Sequence, residues 1–81
     1  MLVNLRLFAR LRELSGKSEL LLEVPEGCDA RAVWNDVAAL YPALAAYGPT
    51  VSCAVNEEYA RLTTQLKDGD EVAFLPPVSG G

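Results

Sequence analysis

Between Ala30 and Tyr41 the chain reads ARAVWNDVAALY, and Ala30, Val33, Trp34, Val37, Ala38 and Tyr41 recur at three- and four-residue spacing. That spacing is the period of an amphipathic helix, and no other stretch sustains it over three turns. One helix with one apolar stripe must bury that stripe against something, and the segments on either side carry the two-residue alternation of strands. A helix laid on a sheet is therefore the main solution open to this chain. Asp29 stands where an N-cap belongs, because its carboxylate can accept the free backbone N–H groups of the first turn. Pro42 closes the far end, and the aromatic residues of the stripe read as core.

The strands follow from alternation. Residues 2–8 predict a strand with Val3, Leu5 and Leu7 on one side and Leu2, Asn4, Arg6 and Phe8 on the other. Phe8, Leu11 and Leu14 then repeat every three residues, which suggests a short helical turn before the turn at Ser15-Gly16-Lys17-Ser18. Glu19–Val24 is a second strand, with Leu20, Leu22 and Val24 inward, stopped by Pro25-Glu26-Gly27. After the helix, Ala43–Thr50 reads as a loop broken at Gly48-Pro49, and Val51–Val55 as a buried strand. Asn56-Glu57-Glu58 is a tight turn, and Tyr59–Thr64 a short edge strand. Lys67-Asp68-Gly69-Asp70 is a turn of the Asp-Gly type, and Glu71–Leu75 is the last strand, ended by Pro76-Pro77.

The order β-β-α-β-β-β, without repeat or internal linker, fits an α+β fold of the β-grasp, ubiquitin-like kind. Such a fold has a mixed sheet of about four to five strands crossed by one main helix, with first and last strands side by side. Residues 1–75 form the expected body and 76–81 the expected tail. The sheet face away from the helix has little to cover it. Phe8, Tyr59 and Leu75 are out of phase with the core residues of their strands or near a strand end, so they are candidates for an apolar patch there.

Composition narrows the chemistry. The chain of 81 residues is near the size at which one core becomes self-sufficient, and 51% of it is hydrophobic. A net charge of −4 is the wrong sign for a nucleic-acid binder and suits solubility or docking on a basic protein partner. The apolar runs are far shorter than the roughly 20 residues of a membrane span, and Met1-Leu2-Val3-Asn4 lacks the features of a secretory signal, so a cytoplasmic protein is expected. There is no histidine, and the two cysteines, Cys28 and Cys53, read as small buried or half-buried residues rather than metal ligands. With no histidine there can be no Ser/His or Cys/His nucleophile pair. A chain so equipped takes part in chemistry as a substrate or carrier, not as an enzyme supplying acids and bases.

The remaining candidate is the tail, Pro76-Pro77-Val78-Ser79-Gly80-Gly81. Gly80 and Gly81 carry no side chain and can enter a channel too narrow for a β-carbon. Pro76-Pro77 favours an extended conformation that would hold the glycines away from the body, and Val78 could seat the tail in an apolar groove. A carboxylate at Gly81 is inert until activated, and adenylation would make it an acyl electrophile that a sulfur donor could convert to a thiocarboxylate.

The run Lys67-Asp68-Gly69-Asp70-Glu71-Val72-Ala73-Phe74-Leu75-Pro76-Pro77-Val78-Ser79-Gly80-Gly81 closely resembles the C-terminal signature of the small subunits of molybdopterin synthase. Phe8-Ala9-Arg10-Leu11-Arg12-Glu13-Leu14-Ser15-Gly16 and Val55-Asn56 agree with that family too, and the Phe-x-Pro-Pro-Val-Ser approach to the glycines separates it from carriers serving thiamin synthesis. The resemblance implies a sulfur carrier within a heterotetrameric synthase. An activating enzyme would spend ATP to adenylate Gly81, a desulfurase- or rhodanese-type donor would supply sulfur, and the large subunit would accept the tail. There the sulfur would pass to cyclic pyranopterin monophosphate in molybdenum cofactor biosynthesis. The resemblance further implies that Phe8, Arg12, Tyr59 and Leu75 face the partner, followed by Pro76, Pro77, Val78 and Ser79, while Gly80 and Gly81 carry the reaction. No bound cofactor, metal, nucleic acid or membrane is expected, and the catalytic groups would come from the large subunit. Three alternatives share the fold. One is a ubiquitin-like modifier joined to lysines through Gly81, another a carrier for thiamin or tRNA thiolation, and the third an interaction module with an idle tail.

Overall fold

The strand on which everything else is assembled is β1 (Leu2–Leu7), which pairs antiparallel with β2 (Glu19–Glu23) on one side and parallel with β5 (Glu71–Leu75) on the other. In the computed structural model, which describes residues 1–77, β5 also pairs antiparallel with β3 (Ser52–Val55), and β3 pairs with β4 (Glu58–Ala60). The sheet thus has five strands in the order β2-β1-β5-β3-β4. Helix α1 (Ala9–Ser15) joins β1 to β2, and α2 (Ala30–Leu40) carries the chain from β2 toward β3. This is the β-grasp arrangement expected from the element order, mixed because the first and last strands run parallel.

The alternation in β1 resolves as expected: Val3, Leu5 and Leu7 are at most 1% exposed. They meet Val33, Trp34 and Val37 of α2, Leu11 of α1, and Val72 and Phe74 of β5 in one apolar cluster. Trp34 and Phe74 touch edge to face with ring centroids 5.1 Å apart, a geometry that adds to the burial of both rings. The stripe read from the sequence is core, with Tyr41 half-buried as the C-cap of α2.

Asp29 caps α2 as expected, its Oδ1 accepting from Ala32 N–H at 2.9 Å. The other leading N–H groups are satisfied from further along the chain, Ala30 donating to the Thr64 carbonyl and Arg31 to the Leu62 carbonyl. That demand corrects the expected edge strand at Tyr59–Thr64. Pairing stops at Ala60, because the carbonyls of Leu62 and Thr64 serve the helix start while Leu62 packs on the core. A second correction concerns Ala43–Thr50. Pro42–Tyr47 is a 3-10 helix rather than a loop, with proline in its first turn and Leu44 fully buried against both helices. The first strand also ends at Leu7, one residue early, since Phe8 is the N-cap of α1 and Ala9 takes a left-handed φ of 51°.

The β3–β4 hairpin turns on Asn56 and Glu57, with φ of 51° and 71°, the left-handed pair that a two-residue hairpin loop requires. Asn56 tolerates that conformation and also ties the hairpin to β5. Its Oδ1 accepts from Glu71 N–H and its Nδ2 donates to Asp70 Oδ1, both at 3.0 Å. Gly69, at φ 88°, gives the preceding turn the same handedness and donates its N–H to the Leu2 carbonyl.

Candidate docking face and C-terminal tail

Because side chains alternate, the strands that bury Val3, Leu5, Val72 and Phe74 present a second row on the other side of the sheet. Strand register fixes that row. Arg6 pairs with Glu19 on β2 and with Ala73 on β5, Ala73 pairs with Ala54 on β3, and Ala54 pairs with Tyr59 on β4. Leu75 lies two residues beyond Ala73 on the same side, opposite Ser52. Phe8 follows β1 on the side of Arg6, and its N–H donates to the Phe74 carbonyl, which brings Phe8 alongside the end of β5. Neither helix covers this face.

Three of the residues read from the sequence therefore share one surface. Tyr59 is 82% exposed, an unusual setting for an aromatic side chain, while Phe8 and Leu75 are half-buried. Ala54 and Ala73 make a shallow floor between Arg6 and Tyr59. Arg12 is placed differently. It is exposed on α1, one turn past Phe8, whose carbonyl accepts its N–H. Among the described residues its guanidinium has no carboxylate within ion-pair distance. Pro76 and Pro77 leave β5 without joining a regular element, Pro76 half-buried and Pro77 exposed. Val78, Ser79, Gly80 and Gly81 lie outside the described residues.

Alternation on β1 and β5 marks Arg6 and Ala73 as companions of Phe8 and Leu75, yet neither stood out as a site residue. The signal was parity along a strand, two residues before each named neighbour. Arg6 turns out to be the most connected polar residue of the face. Its Nε is 3.8 Å from Glu19 Oε1, its Nη1 is 3.6 Å from Glu71 Oε1, and its Cζ lies 5.1 Å from the centre of the Phe8 ring. Beyond it the face mixes polar Asn4 and Glu71 with exposed Leu2 and Leu21.

The thiols offer no second site of chemistry. Burial pushes the Cys53 pKa up, and its Sγ–H donates to the Ala60 carbonyl. Burial raises that of Cys28 too, with Asp29 and Asp36 adding to the effect. A thiol held protonated is a poor nucleophile, so neither cysteine is prepared to take up or pass on sulfur. Among the described residues no three side chains of His, Cys, Asp or Glu are grouped to hold a metal, and no helix is long and apolar enough to cross a membrane.

Residues 5–81 match the ThiS family. The chain is similar to the molybdopterin synthase sulfur carrier subunit of Chlamydomonas reinhardtii, 39% identical with 100% of both chains covered. The human protein of the same name is 34% identical, over 98% of this chain and 93% of that one. Among solved structures, small archaeal modifier protein SAMP1 of Haloferax volcanii superposes with a TM-score of 0.87 at 28% identity, covering 100% of each chain. One chain of the complex of subunits 1 and 2 of the molybdopterin-converting factor of Helicobacter pylori superposes with a TM-score of 0.69 at 26% identity, again over 100% of each.

Proposed function

This chain belongs to the ThiS family and is related along its whole length to molybdopterin synthase sulfur carrier subunits, and we propose that it works as one, with the Gly81 carboxylate as the group that bears sulfur. The observation that carries this reading is the placement of the open sheet face. Phe8, Leu75 and Tyr59 share one side of the sheet, Tyr59 exposed and the other two half-buried, and β5 leads directly into Pro76-Pro77-Val78-Ser79-Gly80-Gly81. A partner seated on that face would take the tail in the same movement. The likeness to a chain from a complex with a second subunit supports such a partner, the large subunit of the synthase.

In this mechanism the body holds the partner and the tail delivers. The Gly81 carboxylate attacks the α-phosphate of ATP on an activating enzyme, releasing pyrophosphate and leaving an acyl-adenylate. The persulfide of a desulfurase- or rhodanese-type donor displaces AMP to leave an acyl disulfide. A second thiol attacks the donor's sulfur and forms a disulfide with it, and the thiocarboxylate so released then enters the large subunit. There its sulfur passes to cyclic pyranopterin monophosphate, and water takes its place at the acyl carbon to regenerate the carboxylate. Phe8, Arg12, Tyr59 and Leu75 contact the partner, Pro76 and Pro77 direct the chain, Val78 and Ser79 line its path, and Gly80 passes the narrowest point. The chain contributes no acid or base, in keeping with its lack of histidine and its protonated thiols.

Adding one residue after Gly81 tests the reading. The extended chain should fold as before, since the last core strand ends at Leu75, yet reconstitute no molybdopterin with a large subunit. Sulfur transfer by the extended chain would refute the carrier mechanism. Intact-mass measurement of protein from cells should show one sulfur in place of one oxygen at the C-terminus. The SAMP1 likeness favours one second reading, a modifier joined to lysines through Gly81. That reading predicts high-mass conjugates that disappear when Gly81 is deleted.

A further inference from the structure

Phe8, like Tyr59 and Leu75, stands outside the core cluster, and it is the anchor that carries a guanidinium against its ring. It lies between β1 and α1 as the N-cap of the helix, its side chain belongs to neither the buried cluster nor the apolar residues packed on it, and the next residue takes a left-handed φ. A ring so placed would swing about χ1 unless something held it. The guanidinium of Arg6 lies against it, 5.1 Å from the ring centre, and is itself held from two strands by Glu19 on β2 and Glu71 on β5. An arginine with one carboxylate partner can pivot about that contact. Carboxylates on two different strands limit how far the guanidinium turns away from the ring.

We propose that Arg6 is the positioning residue for Phe8, stacking on its ring under the control of Glu19 and Glu71 and so setting the angle at which Phe8 is offered to the large subunit. The inference rests on the docking reading above and adds to it the residue that orients the anchor. Preorganising a side chain before association removes part of the ordering cost of binding, so the effect belongs in affinity rather than in fold stability. A cation–π contact also strengthens when the partner excludes water from it. The ion pairs are partly exposed, so salt should loosen the arrangement from outside.

The test is titration calorimetry of the full chain against a purified large subunit of molybdopterin synthase, with Arg6→Leu, Arg6→Lys, Phe8→Ala and the Arg6→Leu/Phe8→Ala pair. Arg6→Leu should raise Kd by about three- to thirtyfold, the span between an exposed and a desolvated cation–π contact. Arg6→Lys should fall between, because a lysine keeps the charge but not the planar fork. In the Phe8→Ala background Arg6→Leu should change little, since the residue has nothing left to orient. In the free chain, the ring-current shift of the Arg6 δ-methylene protons should vanish in Phe8→Ala and weaken in Glu71→Gln. An Arg6→Leu affinity equal to wild type, or a loss undiminished in the Phe8→Ala background, overturns the proposal. A wild-type chain that binds no large subunit overturns the docking reading and this inference with it, which separates the two failures.

Discussion

Along β5 the side chains point to two sides of the sheet, and the three central residues, Val72, Ala73 and Phe74, are all buried. Val72 and Phe74 are fully buried beneath α2, while Glu71 and Leu75, one residue away on either side, are only partly covered. The same division runs through β1, where Leu5 and Leu7 are core and Arg6 and Phe8 belong to the open face. On the covered face, close packing makes every large side chain a structural element. On the open face Tyr59 stands 82% exposed without a structural duty that would explain it. Residues of similar hydrophobicity thus do different work, set by which side of one sheet they occupy.

The sharpest way to break that comparison is to truncate one large side chain on each face. Phe74→Ala should lower the free energy of unfolding by about 3–5 kcal/mol, through lost burial and the cavity left against Trp34. Urea denaturation measures it. Tyr59→Ala should stay within about 0.5 kcal/mol of wild type in the same assay. A comparable loss from both would mean that the open face is part of the core.

A smaller effect tests the open face by its own measure. Phe8→Ala and Tyr59→Ala should each weaken association with the large subunit by about 1–3 kcal/mol, as expected of interface anchors. Surface plasmon resonance should register the change chiefly as faster dissociation. Unchanged affinity in both would return these residues to ordinary surface.

The smallest effect concerns the seam where the hairpin meets the start of β5. The hydrogen bond from Asn56 Nδ2, and then the Lys67 backbone N–H, hold the Asp70 carboxyl below the ordinary carboxylate range. The folded chain therefore binds this proton less readily than the unfolded chain does. Its stabilising contribution is complete above the unfolded pKa of about 4 and disappears as pH falls through the lower folded value. Thermal melts at neutral pH and at successively lower pH should show the gap between wild type and Asp70→Asn closing as acid is added. A gap that widened in acid would contradict this assignment.

Much of this was legible in the sequence because it depends on local periodicity. The helical stripe, the Asp29 cap, the parity of β1 and the bounds of β5 follow from residues a few positions apart. The misread segments share a different cause. Tyr59–Thr64 alternates well enough for a strand, but its later carbonyls are taken up by the first turn of α2, more than 30 residues earlier. Pro42–Tyr47 looks like a loop until the two helices give Leu44 a place to be buried. Arg6 shows the same limit at the candidate site. Its side of β1 could be read, but not its neighbours Glu19, Glu71 and Ala73, which strand register alone supplies.

By itself the sequence determined that one helix must lie on a sheet, that these 81 residues hold no histidine, and that PPVSGG follows the last strand. These are properties of order and composition, and they hold wherever the strands are placed. Only the tertiary structure decided which residues stand together on the open face. Phe8, Tyr59 and Leu75 come from three strands or their ends, and hydrogen-bond register between strands distant in sequence is what sets them on one surface, with Arg6 among them.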